Sequence, residues 1–137
     1  MFDTKLKVLV VDDMLTMRKV VSKILREIGF TDIHEACDGR EAWEKFKAAE
    51  AGIPYGLVIS DWNMPNMSGL EFLKQVRADE KLKKTPFLLV TAEAEATQVA
   101  EAVKSGVDQY VVKPFSKESL RAKLEVAHKK HTLRAAA

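Results

Sequence analysis

The chain has little that would tie it to an oxidising compartment, a membrane or a nucleic acid. Its 137 residues include one cysteine, Cys37, so no internal disulfide can form, which is typical of proteins in a reducing compartment. No apolar run approaches the roughly 20 residues of a membrane helix, and no basic and then apolar signal segment opens the chain. The formal net charge of +2 is too small to indicate nucleic-acid or membrane-surface binding. We therefore expect a cytoplasmic protein.

What is present is a regular alternation of short apolar runs and amphipathic stretches. The composition, 47% hydrophobic and 31% charged, is that of a globular protein, and the length suits one domain over residues 1–137. Strands are predicted at residues 6–11, 32–36, 56–60, 87–90 and 109–112, each followed by a helix. Such βα repetition predicts an α/β fold with a parallel sheet covered on both faces. Residues 131–137 show no pattern, so we expect a frayed tail after a core of about 6–130.

Chemically active side chains follow four of the five predicted strands. Asp12 and Asp13 follow the first strand, Asp61 the third, Thr91 the fourth and Lys113 the fifth. In open α/β sheets, ligand sites form at the carboxyl ends of the strands. The sequence therefore predicts a site that combines three acids, a hydroxyl and an ammonium group.

The three acids suggest a magnesium site. If the sheet has the flavodoxin-like order 2-1-3-4-5, which is known for doubly wound folds and is not given by the periodicity, strands one and three are neighbours. Asp12, Asp13 and Asp61 then converge, and a divalent cation relieves their repulsion. We expect Asp13 to bind Mg²⁺ directly and Asp12 to act through water. A metal site with no phosphate chemistry is the simpler alternative.

Thr91 and Lys113 favour phosphate chemistry over metal binding alone. A hydroxyl and an ammonium group are suited to the oxygens of a transferring phosphoryl group, and a carboxylate such as Asp61 can be the nucleophile. Lys113 could instead form a structural ion pair with Asp12, and the two roles are compatible.

These residues and their neighbours carry a resemblance to a known family. The chain resembles the receiver domain of bacterial response regulators over residues 6 to about 130, and most of all its single-domain chemotaxis members. The motifs that carry the resemblance are Asp12-Asp13, Asp61 with Asn63-Met64-Pro65 and Gly69, Thr91-Ala92, and Tyr110 with Lys113-Pro114-Phe115. The resemblance implies a flavodoxin-like (βα)5 fold with no attached output domain, and a cis Lys113–Pro114 bond.

The resemblance also implies roles for the acids at the site. Asp61 is the phosphoacceptor, and it takes a phosphoryl group from a histidine kinase or from a small donor such as acetyl phosphate. Asp12, Asp13, Asp61 and the backbone carbonyl of Asn63 hold Mg²⁺. The protein is thus expected to be a phosphoacceptor in signalling that catalyses its own phosphorylation and dephosphorylation, and not an enzyme with a separate substrate.

The remaining roles concern the switch and its output. Thr91 bonds the new phosphate and Tyr110 turns inward behind it, while Lys113 contacts the phosphate directly. Asn63 and Glu93 flank the phosphate and tune its hydrolysis. The plain alternative for Tyr110 is a packing aromatic.

The implied output is partner binding through the surface of the fourth helix, fifth strand and fifth helix, which includes Tyr110 and Lys123. The implied partners are a chemotaxis-type histidine kinase, the flagellar motor switch protein and a phosphatase, and the protein is expected to be a monomer. The basic side chains of the fifth helix also fit a plain solvated face.

Two other functions remain as alternatives. One is a phosphorelay shuttle or phosphate sink that does not bind the motor. The other is a phosphatase with an aspartyl nucleophile, which usually needs a second acid two residues later, where this chain has Asn63.

Overall fold

Five strands and five helices alternate along the chain. The computed structural model describes residues 1–92 and 96–136, with the side chains of 135 and 136 left aside. The elements are β1 (Lys7–Val11), α1 (Leu15–Ile28), β2 (Asp32–Ala36), α2 (Gly39–Ala49), β3 (Leu57–Asp61), α3 (Gly69–Ala78), β4 (Phe87–Thr91), α4 (Ala96–Lys104), β5 (Gln109–Val112) and α5 (Lys117–Ala136). Among these helices, none is long and apolar enough to cross a membrane.

The strands form one parallel sheet in the order β2-β1-β3-β4-β5. β1 is central to the site because it pairs with β2 on one side and with β3 on the other. Val11 pairs with Ser60, and Asp61 pairs with Val90 of β4. The predicted fold class, a doubly wound flavodoxin-like sheet with this strand order, is confirmed.

Alternate residues of the central strands feed two separate cores. Leu9 and Val11 of β1 pack with α2, α3 and α4, whereas Val8 and Val10 pack with α1 and α5. These four side chains, one leucine and three valines, are almost fully buried. The near-continuous apolar runs of the sequence are therefore explained by strands that are covered on both faces.

Helix ends follow local chemistry that the sequence partly displays. Ser68 and Glu71 form a capping box at the start of α3, a pattern that the sequence itself displays. Asp38 is the N-cap of α2, where its side chain accepts a hydrogen bond from the Glu41 amide. Gly29 ends α1 at a φ of 130°, a value that favours glycine.

The expectation of a frayed tail is wrong for the described part of the C-terminus. α5 continues to Ala136. The guanidinium of Arg134 bonds both carboxylate oxygens of Asp108 and donates to the carbonyl of Lys84 at 3.0 Å. A tertiary ion pair therefore stabilises a last turn whose own sequence has no apolar periodicity.

Candidate functional site

Three carboxylates meet at the carboxyl edge of the sheet. Asp12 and Asp13 directly follow β1 and Asp61 ends β3, and because these strands are paired, the side chains converge. One oxygen from each carboxylate lies within 4.8 Å of the others. Asp12 and Asp61 are buried, and Asp13 is exposed, which leaves the cluster open to solvent on one side. The predicted convergence of the acids is confirmed.

Lys113 brings an ammonium group into this cluster. Its Nζ lies 3.1 Å from Oδ1 of Asp61 and 3.4 Å from Oδ2 of Asp12. The Lys113 amide donates to the carbonyl of Thr91 at 2.8 Å, which anchors the segment after β5 to the end of β4. The Lys113–Pro114 bond is cis, as expected.

Burial and like charge dominate the electrostatics of Asp61. Burial, together with the neighbouring charge of Asp12, raises the pKa of Asp61, although the ammonium of Lys113 opposes this shift. Burial disfavours the charged form of Lys113, but its contacts with Asp61 and Asp12 outweigh burial and raise its pKa. Lys113 is thus firmly cationic, whereas the acids repel one another and have an excess of negative charge available for a cation.

This donor set fits Mg²⁺. Carboxylate oxygens are the ligands that a hard divalent cation prefers, and the exposed side of the cluster leaves room for the waters that Mg²⁺ retains. Asp12, Asp13 and Asp61 could hold the ion, and Asn63, two residues after Asp61 in an exposed loop, could add its backbone carbonyl.

The loop that carries Asp12 and Asp13 is held by an arginine that the sequence analysis did not single out. Nη1 of Arg18 donates to the carbonyl of Asp12 at 2.7 Å, and Nε of Arg18 pairs with Glu35 at 3.2 Å. The amide of Met14 donates to Oδ1 of Asp12 at 2.9 Å. Arg18 lies one turn into α1, and this short spacing from Asp12 and Asp13 is the sequence feature that could have indicated the contact.

On the other side of the cluster, the backbone closes tightly after Asp61. The Gly69 amide donates to the carbonyl of Trp62 at 2.8 Å. A Cβ on Gly69 would collide with the Asp61 carbonyl, so only glycine fits at the start of α3. The presence of glycine eight residues after Asp61 is thus explained by this steric constraint.

The other predicted residues are placed around this centre as follows. Thr91 is buried at the end of β4, next to β3, whose last residue Asp61 pairs with Val90. Tyr110 is half-buried on β5, and the ammonium of Lys123 lies 5.0 Å from the centre of its ring. The structure thus joins Tyr110 and Lys123 in one surface formed by β5 and α5. Glu93 lies outside the described residues.

With this geometry in view, comparison with known proteins gives a consistent result. Residues 8–125 match the family model of the response regulator receiver domain. The chain belongs to this family. The match spans most of the chain, including every predicted site residue from Asp12 to Lys123.

Individual receiver proteins are similar over nearly their whole length. The chain is 45% identical to chemotaxis protein CheY-3 of Vibrio cholerae over 120 residues, which are 88% of this chain and 89% of that protein. It is also 45% identical to chemotaxis protein CheY of Pseudomonas aeruginosa, covering 88% of this chain and 94% of that one. The crystal structure of Vibrio cholerae CheY4 superposes with a TM-score of 0.78 at 39% identity and covers 88% of this chain and 97% of its own. These relatives make the chain a receiver domain with chemotaxis homologues.

Proposed function

We propose that this receiver is a phosphorylation-controlled switch in which Asp61 accepts a phosphoryl group. The observation that carries the proposal is the contact of the Lys113 ammonium with Asp61, at 3.1 Å, inside a cluster of three carboxylates. A structural ion pair needs one acid and one base, whereas three acids with one base leave an excess of negative charge. That excess suits a cation, and the cation with Lys113 suits a phosphate.

The proposed reaction is an in-line transfer to Asp61. A carboxylate oxygen of Asp61 forms a bond to phosphorus, and the bond from phosphorus to a histidine nitrogen of the kinase breaks. The imidazole keeps the electron pair and takes up a proton from solvent. With acetyl phosphate, the bond from phosphorus to the acyl phosphate oxygen breaks, and acetate leaves.

Each residue has a separate part in this transfer. Asp12, Asp13, Asp61 and the Asn63 carbonyl would hold Mg²⁺, which when bound neutralises charge on the incoming phosphoryl oxygens. Lys113 donates to another of those oxygens after it releases Asp61. Since the entering and attacking groups are both anionic, these cations lower the repulsion between them.

After transfer, the new dianion offers strong acceptors that replace a single carboxylate. The hydroxyl of Thr91 donates to a phosphoryl oxygen, and Tyr110 moves into the space that Thr91 vacates. Asn63 and Glu93 tune the access of water to the phosphate. To move a two-state equilibrium from 1:99 to 99:1 takes about 5.5 kcal/mol, so several of these contacts must act together.

The proposed output is a change in the β5–α5 surface that carries Tyr110 and Lys123. In the described state, the Lys123 ammonium lies over the Tyr110 ring, and an inward turn of the ring would end this cation–π contact. We expect the released lysine to pair with an acidic segment of a partner. The chemotaxis homologues support a chemotaxis kinase as donor and the flagellar motor switch protein as partner.

A binding experiment tests this function. The protein is treated with acetyl phosphate and Mg²⁺ and titrated with a peptide from the motor switch protein. We expect tighter binding than without the donor, and no gain for Asp61→Asn. Unchanged binding by a phosphorylated protein would contradict the messenger function. Efficient return of the phosphoryl group to a histidine phosphotransfer domain would then indicate a phosphate sink.

A further inference from the structure

The loop between Asp61 and α3, residues 62–68, is fastened to the start of α2 by two contacts. Nδ2 of Asn66 donates to Oδ2 of Asp38 at 2.7 Å. The amide of Gly39 donates to the carbonyl of Met67 at 3.1 Å. We call these two contacts the α2 clip. They join residues 28 apart in sequence and connect the loop to an element that contributes no acid to the cluster.

The backbone geometry of the clip restricts which residue types fit at positions 66 and 39. Asn66 has a φ of 67°, the left-handed region, which asparagine tolerates better than most side chains. A Cβ on Gly39 would lie 2.8 Å from the carbonyl carbon of Met67, so a larger residue would force the loop away from α2. The loop and α2 thus approach too closely for any other residue at position 39.

Asp38 takes part in two interactions, the N-cap of α2 and the side-chain contact of the clip. Its Oδ1 accepts from the Glu41 amide at 2.8 Å and so caps α2, while its Oδ2 faces Asn66. The bond from the Glu41 amide and, less strongly, the bond from Asn66 lower the pKa of Asp38. Asp38 is therefore ionised at neutral pH, and its bond to Asn66 is charge-assisted.

We propose that Asp38 and Asn66 are positioning residues for the metal site, because the α2 clip holds the loop that presents the carbonyl of Asn63. This inference rests on the proposed function, in which that carbonyl joins the acids around Mg²⁺. The two ends of the loop are also joined to each other, because the Gly69 amide donates to the Trp62 carbonyl at 2.8 Å. From outside the loop, the Trp62 amide donates to the Val90 carbonyl of β4 at 2.9 Å, and the clip restrains the segment beyond Asn63.

The physical benefit of the clip is preorganisation. A loop carbonyl that is free to move must be ordered when a cation binds, and this ordering opposes binding. With the clip in place, the ordering has already occurred during folding. Loss of the clip should therefore weaken Mg²⁺ binding even though every metal ligand remains.

Two substitutions each remove the side-chain contact of the clip, the bond from Asn66 to Asp38, and leave its surroundings intact. Asn66→Gly accepts the positive φ without strain and deletes the amide. Asp38→Ser keeps an N-cap oxygen for the Glu41 amide, but its side chain is too short to reach Asn66. Asp79→Ser is the matched control, since Asp79 holds a turn at the opposite end of α3 by accepting from the amides of Lys81 and Leu82.

The measurements are Mg²⁺ affinity by titration calorimetry and the hydrogen exchange rate of the Gly39 amide, both without any phosphodonor. Substitution of groups that orient metal ligands typically weakens binding about 10–100-fold, and we expect the lower end for Asn66→Gly and Asp38→Ser. The Gly39 amide should exchange faster in both variants. The double variant should bind no more weakly than either single one, because both remove the same contact. Asp79→Ser should lower stability and leave Mg²⁺ affinity unchanged.

Two results would overturn the inference. One is wild-type Mg²⁺ affinity in Asn66→Gly and Asp38→Ser, and the other is an unchanged exchange rate at Gly39. Failure of the proposed function looks different, because there the wild-type protein itself would not bind Mg²⁺ or would not be phosphorylated at Asp61.

Discussion

A buried ion cluster at the amino end of the sheet gives a sharp prediction about stability. Asp108 is fully buried and accepts from the Phe87 amide at 2.8 Å. It also accepts from Arg77 at 3.1 Å and from Arg134, which has both of its terminal nitrogens on this carboxylate. One buried anion thus compensates two cations.

The perturbation is Asp108→Asn, which preserves shape and the acceptor for the Phe87 amide but removes the charge. Burial already lowers the pKa of Arg77 to about 10 against the opposing effect of Asp108. Removing one member of a buried ion pair typically costs about 3–5 kcal/mol. For a chain of 137 residues, this corresponds to a fall in Tm of about 10–17 °C.

The assay is urea unfolding of the wild type, Asp108→Asn, Arg134→Met and the double variant. Arg134 is 29% exposed and Arg77 stays in place, so Arg134→Met alone should cost much less than Asp108→Asn. In the Asp108→Asn background, Arg134→Met should cost still less, since it then removes an uncompensated cation. A loss below about 1 kcal/mol for Asp108→Asn, the size of an exposed pair, would refute the reasoning.

Two further predictions concern the site and the dependence of stability on pH. Lys113→Met removes the cation that contacts Asp61, so Mg²⁺ should bind more tightly in a calorimetric titration. Phosphorylation from acetyl phosphate should become about 100-fold slower, because a donor to the phosphoryl oxygens is lost. Weaker Mg²⁺ binding would contradict this account. The bond from Lys47 lowers the pKa of Asp79 below its ordinary value of 3.8, so this carboxylate stabilises the fold above that pH and its contribution is lost as the pH falls through the lowered value. Urea unfolding from pH 3 to 7 should therefore show Asp79→Asn less stable than wild type at neutral pH, with the difference shrinking in acid; a constant difference would argue against the ion pair.

The sheet and the centre of the site could be predicted because their signals are local. Apolar runs that end in Asp12, Asp61 and Lys113 reveal both the buried strands and the edge where their side chains meet. The parallel order follows from the alternation of strands and helices. The pairing of β1 with β3 was predicted only by assuming the known flavodoxin-like strand order, since periodicity does not specify which strands pair.

The C-terminus was mispredicted because its support is not local. Residues after His131 lack apolar periodicity, and a helix there would be marginal by itself. The contact from Arg134 to Asp108 spans 26 residues, and nothing in the sequence marks it as a pair. Tertiary contacts of this kind override local preference.

The α2 clip was missed for a similar reason, although part of its signal was visible. Asp38 followed three residues later by Glu41 is a pattern that favours an N-cap, although Asp38 followed by Gly39 is also typical of a turn. The partner, Asn66, is identifiable only when the loop and α2 are seen together. Sequence patterns indicate caps and strand ends, but not which loop a cap will hold.

The most direct test of the central proposal is the intact mass of the protein after treatment with acetyl phosphate, with and without Mg²⁺, beside Asp61→Asn. We predict a gain of one phosphoryl group by the wild type that requires Mg²⁺ and is absent from the variant. No gain in Mg²⁺ with either acetyl phosphate or a histidine kinase, or an equal gain by Asp61→Asn, would contradict the assignment of Asp61 as phosphoacceptor.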